Sequence, residues 1–116
     1  MGAFSDRVQD TSTTTGTGNF TLSGTAPTGK VDFNTAFGTQ QRFYYTIQGQ
    51  SGSEWETGEG YLSASTTLVR DRVIDSSNSG SAVNFSAGTK DVFCDAVAEQ
   101  FNTVDGAGFA LRYARL

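Results

Sequence analysis

The chain predicts an all-β fold, a small antiparallel sandwich or barrel of about seven short strands with one short helical turn. Three observations carry this expectation. The composition is rich in turn formers and β-branched residues, with 14 Gly, a single Pro and many Ser and Thr among 116 residues. Gly supplies positive φ at turns, and Thr, Val, Tyr and Phe suit a pleated, half-buried surface. Apolar and polar residues alternate in short runs, most clearly in Phe43-Tyr-Tyr-Thr-Ile47, and that alternation is strand periodicity. Turn signals recur between the runs, as they do in small sandwiches and barrels. The length suits one domain, residues 1–116, burying roughly two-thirds of the surface its unfolded chain exposes.

Each element follows from its residues. Residues 6–15 read as an extended polar segment in which Val8 is the only large apolar side chain. Residues 19–23 read as a short strand with Phe20 and Leu22 on one face, followed by a loop around Pro27. Residues 30–37 are the helical candidate, one or two turns long, with Asp32 favouring the first turn and Gly38 stopping it. Residues 41–48, 54–62 and 67–74 read as three strands of a meander. In the second, Gly58 and Gly60 signal a bulge or a close backbone approach. In the third, Leu68, Arg70, Arg72 and Ile74 alternate with Val69, Asp71 and Val73. Residues 83–85 and 91–97 are expected to form a hairpin around Ser86-Ala-Gly-Thr-Lys90. Asp105-Gly106 marks a further hairpin between residues 100–104 and 107–113.

The charge pattern restricts partners. The net charge is -4 and the basic residues are scattered, so no nucleic-acid footprint is expected. No run approaches the ~20 apolar residues of a membrane helix. Residues 1–7 carry no hydrophobic signal core, so synthesis in a cytoplasm is the expectation. The chain has no His and one Cys. Catalysis by Ser–His or Cys–His pairs is thereby excluded, as are imidazole metal sites. Cys94, in a strand-like run between Phe93 and Asp95, is expected as a small buried thiol rather than a reactive nucleophile. No cofactor and no metal are expected.

Glu54, Glu56 and Glu59 flank Trp55. Two carboxylates beside an aromatic ring suit glycoside hydrolysis, which needs one acid and one base or nucleophile. The plainer reading has Glu54 and Glu56 either facing solvent or pairing across strands with Arg70 and Arg72, with Trp55 in the core. A carbohydrate-binding module would instead use Tyr44 and Trp55 as stacking platforms. Tyr44 is expected to face outward with Arg42, and outward Tyr and Arg are enriched at protein interfaces. The segment Phe109-Ala-Leu-Arg-Tyr-Ala-Arg-Leu116 is apolar for a chain end; such an end folds back on the domain or docks on a neighbour. Phe4 is a further candidate anchor. The candidate interface residues are therefore Phe4, Arg42, Tyr44, Arg70, Arg72, Phe109, Leu111, Tyr113 and Leu116.

The order of several motifs adds a resemblance. Asp6-Arg-Val8, Thr13-Thr-Thr-Gly-Thr-Gly18 and Phe20-Thr-Leu22 come first. Phe43-Tyr-Tyr-Thr-Ile47, Glu54-Trp-Glu-Thr-Gly58 and Gly60 follow. Thr67-Leu-Val-Arg70, Ser76-Ser-Asn78 and Val83-Asn-Phe-Ser-Ala-Gly-Thr-Lys-Asp-Val-Phe93 come last. Together they resemble a small β module of tailed-bacteriophage virion structural proteins, found at the start of fibre-like proteins. The resemblance covers residues 6–97 and leaves 98–116 as a C-terminal extension. It implies a non-enzymatic virion component that assembles as a homo-oligomer, commonly a trimer, with other virion proteins as partners. No fibre shaft follows in this sequence, so a capsid cement or decoration protein on the head exterior is the leading expectation. A tail-fibre anchor or baseplate adaptor is the alternative.

Overall fold

A computed structural model of the chain describes residues 3–94. The predicted hairpin of residues 100–113 and the candidate residues Phe109, Leu111, Tyr113 and Leu116 lie outside the described residues.

The described chain is all-β with one short helix. Its elements are β1 (Gln9–Ser12), β2 (Phe20–Thr21), α1 (Phe33–Phe37), β3 (Phe43–Gly49), β4 (Trp55–Ala64), β5 (Thr67–Ser76) and β6 (Lys90–Phe93). Six strands form one antiparallel sheet in the order β1-β6-β3-β4-β5-β2. The sheet curls until its edges meet: Ser12 and Leu22 form a bridge, and the Ser23 amide donates to the Thr11 carbonyl over 2.9 Å. The result is a nearly closed barrel, which leaves little unpaired edge.

The meander of three strands is present as β3, β4 and β5. The inward face of β3 is Phe43, Tyr45 and Ile47, all fully buried. They join Val8, Phe20, Leu22, Phe33, Leu62, Leu68, Val83, Phe85 and Val92 in a single core. Burying such a side chain contributes about 1.5–3 kcal/mol relative to leaving it in water.

The helix is shorter than the sequence segment that predicts it. Asp32 caps α1, accepting from the Thr35 amide at 3.2 Å and from its hydroxyl at 2.6 Å. At the other end Gly38, at φ 72°, turns its amide back to the Asn34 carbonyl. The helix plugs one part of the barrel with aromatic rings: Phe33 and Phe37 lie 5.0 and 4.8 Å from Phe43, centroid to centroid.

Three expectations need correction. Residues 83–85 form no hairpin with β6. Val83 and Phe85 are core residues, but Phe85 bridges Gly16, while β6 lies between β1 and β3. The extended segment 6–15 contains β1, a strand whose inward residues, Asp10 and Ser12, are polar and buried. Asp10 accepts from the Thr11 amide at 2.6 Å, the Gly24 amide at 2.9 Å and the Ser23 hydroxyl. These bonds let a carboxylate stand inside the barrel, because a buried charge is tolerated only when hydrogen-bonded.

The third correction concerns β5. Glu59 pairs with Arg72 and Tyr61 with Val69, so two residues, Arg70 and Asp71, stand opposite Gly60 alone. This bulge reverses the alternation of faces. The Arg70 side chain points inward at 2% exposure, whereas those of Asp71 and Arg72 reach the outside at 43% and 45%. A Cβ at Gly60 would run into the Val69 carbonyl oxygen, so only Gly fits opposite the bulge.

Candidate functional site

Glu56, Arg70 and Tyr45 meet inside the barrel. Glu56 is fully buried on β4. Its Oε2 accepts from the Tyr45 hydroxyl at 2.7 Å and from Arg70 Nε at 2.9 Å. Its Oε1 accepts from Arg70 Nη2 at 2.5 Å and from the Val83 amide at 2.9 Å. The guanidinium–carboxylate pair is therefore bidentate. Arg70 also donates to the carbonyls of Gly16, Gly18 and Val83 at 2.9, 3.1 and 2.8 Å. Its guanidinium carbon lies 4.9 Å from the Phe20 ring centroid and 5.2 Å from that of Phe85. Gly58 makes room for the Tyr45 phenol, since a Cβ there would lie 2.7 Å from its oxygen.

Burial alone would raise the proton affinity of Glu56. The Arg70 guanidinium, the Tyr45 hydroxyl and the Val83 amide outweigh it and hold the carboxyl below its ordinary value. Burial and the neighbouring Glu56 charge push the Tyr45 phenol far above its usual range, so it remains a donor. Every group in this cluster is engaged by another. It ties β4, β5 and the segments around Gly16 and Val83 together, and its chemistry is that of a structural lock.

The three glutamates that suggest hydrolysis do not converge. Glu56 is interior. Glu54 lies just before β4, where it accepts from the Ser86 amide at 3.0 Å and hydroxyl at 2.9 Å, which lower its proton affinity. Glu59 stands on the outer face, with Arg72 Nη2 at 3.1 Å and Arg42 Nε at 3.7 Å. The expected cross-strand pairing holds for Glu56 with Arg70. Arg72 takes Glu59 rather than Glu54. Among the described residues no group of carboxylates and thiols is placed to hold a metal ion. Cys94 packs, partly buried, against the core.

The outer face carries the other assembly of candidate residues. Tyr44 does point away from the core, as the alternation requires, yet it is 3% exposed. Phe4 covers it: the two rings stack with centroids 5.3 Å apart. The N-terminal segment is held there by backbone bonds, Ala3 N to Arg42 O at 2.9 Å and Tyr44 N to Ala3 O at 3.4 Å. Phe4 itself is 43% exposed and is the exposed large hydrophobic side chain among the described residues. Beside this aromatic pair runs an ion network. Arg42 bonds Asp71 and approaches Glu59, Arg72 bonds Glu59, and the Arg42 guanidinium lies 5.7 Å from the Tyr61 ring centroid.

Of the candidate interface residues described, Phe4, Arg42 and Arg72 reach the surface together. Tyr44 supports them from beneath, and Arg70 is withdrawn into the barrel. Sequence reasoning missed Glu59 and Asp71 as members of this face. The signal available was the alternation that sets Asp71 on the opposite face from Arg70, together with Gly60, which marks the bulge that turns Arg72 outward beside it. Trp55 is half-buried at the start of β4 and outside the core, contrary to the packing expected of it. Two polar grooves adjoin Glu54, one walled by Gly49 and residues 51–54 with 86–90, the other by Ser53, Glu54, Ser77, Asn78, Val83 and Asn84; Trp55 lines neither.

Comparison with protein-family models, with curated proteins and with solved structures finds no match.

Proposed function

We propose that the protein is a non-enzymatic structural component of a tailed-bacteriophage virion, an oligomeric cement or decoration protein that stabilises the head exterior. The observation that carries this reading is the Phe4–Tyr44 stack beside the Arg42–Asp71–Glu59–Arg72 network. An exposed aromatic group on a rigid sheet, flanked by charges of both signs, has the make-up of a protein interface: an apolar centre and a polar rim. The order of the sequence motifs supplies the virion setting. The mechanism is burial of apolar surface between copies and against the shell, repeated by symmetry. A standard interface removes about 1,600 Å² from water.

The interior favours a structural role over a catalytic one. Glu56 and Arg70 are paired with each other, Asp10 and Lys90 are held by hydrogen bonds to neighbouring backbone and hydroxyl groups, and the three glutamates do not converge. The test is co-sedimentation of the purified chain with empty heads and with tails of the phage that encodes it. Saturable binding to heads, abolished by Phe4→Asp, is expected. Binding to tails alone would replace cement with a fibre-anchoring or adaptor role. Binding to neither would overturn the reading.

A further inference from the structure

We infer that the Phe4–Tyr44 face of each copy seats the C-terminal segment 109–116 of a neighbouring copy; the inference rests on the oligomeric reading above. A closed ring with an odd number of copies cannot be built from one self-matching patch. Each contact must join two unlike surfaces, and the ring closes when the rotation does. The chain offers two unlike surfaces of matching chemistry. One is the aromatic face on β3, with Phe4 43% exposed. The other is residues 109–116, which carry Phe109, Leu111, Tyr113 and Leu116 with Arg112 and Arg115 and no acidic side chain. The remainder of a chain of net charge -4 is acidic, so the basic segment is drawn to the body as a whole, while on the face itself Asp71 and Glu59 are matched by Arg42 and Arg72 and the apolar contact with Phe4 sets the seat.

The path of the chain fits this exchange. After β6 the Cys94 amide donates to the Val8 carbonyl at 3.1 Å, and its Sγ lies 4.0 Å from the Ala3 carbonyl oxygen. The last described residue, Cys94, therefore lies beside Ala3, one residue away from Phe4. Copies related by a rotation axis hold Cys94 and this face at the same height, so the segment needs only lateral travel to reach its neighbour. The fifteen residue steps from Cys94 to Phe109 reach at most about 50 Å. That exceeds the 42 Å length of the molecule.

The test replaces Phe4 with the photo-crosslinking analogue p-benzoyl-phenylalanine in the full chain. Isotopically heavy and light copies are unfolded together, refolded, irradiated and mapped by mass spectrometry, with the solution mass measured in parallel. Cross-links from position 4 to residues 109–116 in mixed heavy–light pairs are expected. An oligomer whose links fall within one chain, or elsewhere than 109–116, overturns this inference and leaves the oligomeric reading intact. A sample that is monomeric at every concentration overturns both.

Discussion

The hydroxyl of Tyr45 donates to Oε2 of Glu56 across 2.7 Å in the interior of the barrel. Their strands are neighbours, and the aligned residues Tyr45 and Gly58 explain how the phenol crosses to the buried carboxylate without a clash. Removing the donor with Tyr45→Phe leaves Glu56 bound by Arg70 and Val83. The expected loss is about 2 kcal/mol, the worth of a hydrogen bond to a charged group. Urea unfolding, read as a lower midpoint at unchanged slope, checks it.

Removing Arg70 costs more. Arg70→Met leaves Glu56 as an uncompensated buried charge and strips donors from three carbonyls. A loss of about 3–5 kcal/mol follows from breaking one half of a buried pair. Arg70→Lys does not restore it, because an ammonium cannot reproduce the bidentate fork or the contacts to both rings. Thermal unfolding of the two variants should place them together, well below the parent.

The cluster also sets the acid limb of stability. Glu56 is held below its ordinary value of 4.5 when folded. A carboxyl lowered by folding contributes stability that is present above that ordinary value and is lost as pH falls through the folded one. Stability is therefore flat toward neutrality and declines below about pH 4.5. In Glu56→Gln the variant starts lower and its acid decline is shallower. Denaturant midpoints measured from pH 7 down to pH 2.5 decide this, and an unchanged acid slope in Glu56→Gln would count against it.

Lys90 gives the opposite limb. Its ammonium is buried with one bond, to the Thr14 carbonyl at 2.8 Å, and burial lowers its proton affinity against a small opposing pull from Glu54. A base whose folded value lies below its ordinary 10.5 is protonated more readily unfolded. Stability then rises as pH climbs from the folded value toward 10.5. Lys90→Met should remove that rise, as seen in unfolding midpoints between pH 8 and pH 10.5.

The two strand glycines are expected to be intolerant. A Cβ at Gly58 would lie 2.5 Å from the Arg72 carbonyl oxygen, and one at Gly60 would meet that of Val69. Both approaches are to backbone, which cannot swing aside. Gly58→Ala and Gly60→Ala should each cost about 3 kcal/mol, at the upper end of overpacking. Gly18→Ala, with open space around it, should change stability by less than ~0.5 kcal/mol.

The sequence made the centre of the sheet legible because there each inward position is apolar. Phe43, Tyr45 and Ile47 announce both strand and face, and Asp32 and Gly38 announce the ends of the helix. β1 was hidden because its inward residues are Asp10 and Ser12, whose burial depends on partners from Ser23, Gly24 and Thr21 that no local pattern reveals. Val83 and Phe85 advertised burial correctly, but an alternating pair does not say which strand it lies against. The Glu56–Arg70 pairing was legible across strands, but its burial was not, because the carbonyls of Gly16, Gly18 and Val83 that complete the site come from distant segments. The outer face was half-legible: Arg42 and Arg72 were recognised as interface residues, while the bulge opposite Gly60 that brings Arg72 to the same side as Asp71 shows only in the strand register.

The most direct test of assembly is the mass of the full chain in solution, by light scattering after size exclusion, with Phe4→Asp alongside. Phe4 is exposed, so its replacement should leave folding within about 1 kcal/mol of the parent. The account predicts a trimer of the 12.3 kDa chain that the variant reduces to single copies. A parent that runs as one copy at every concentration, or a variant that stays oligomeric, would contradict it.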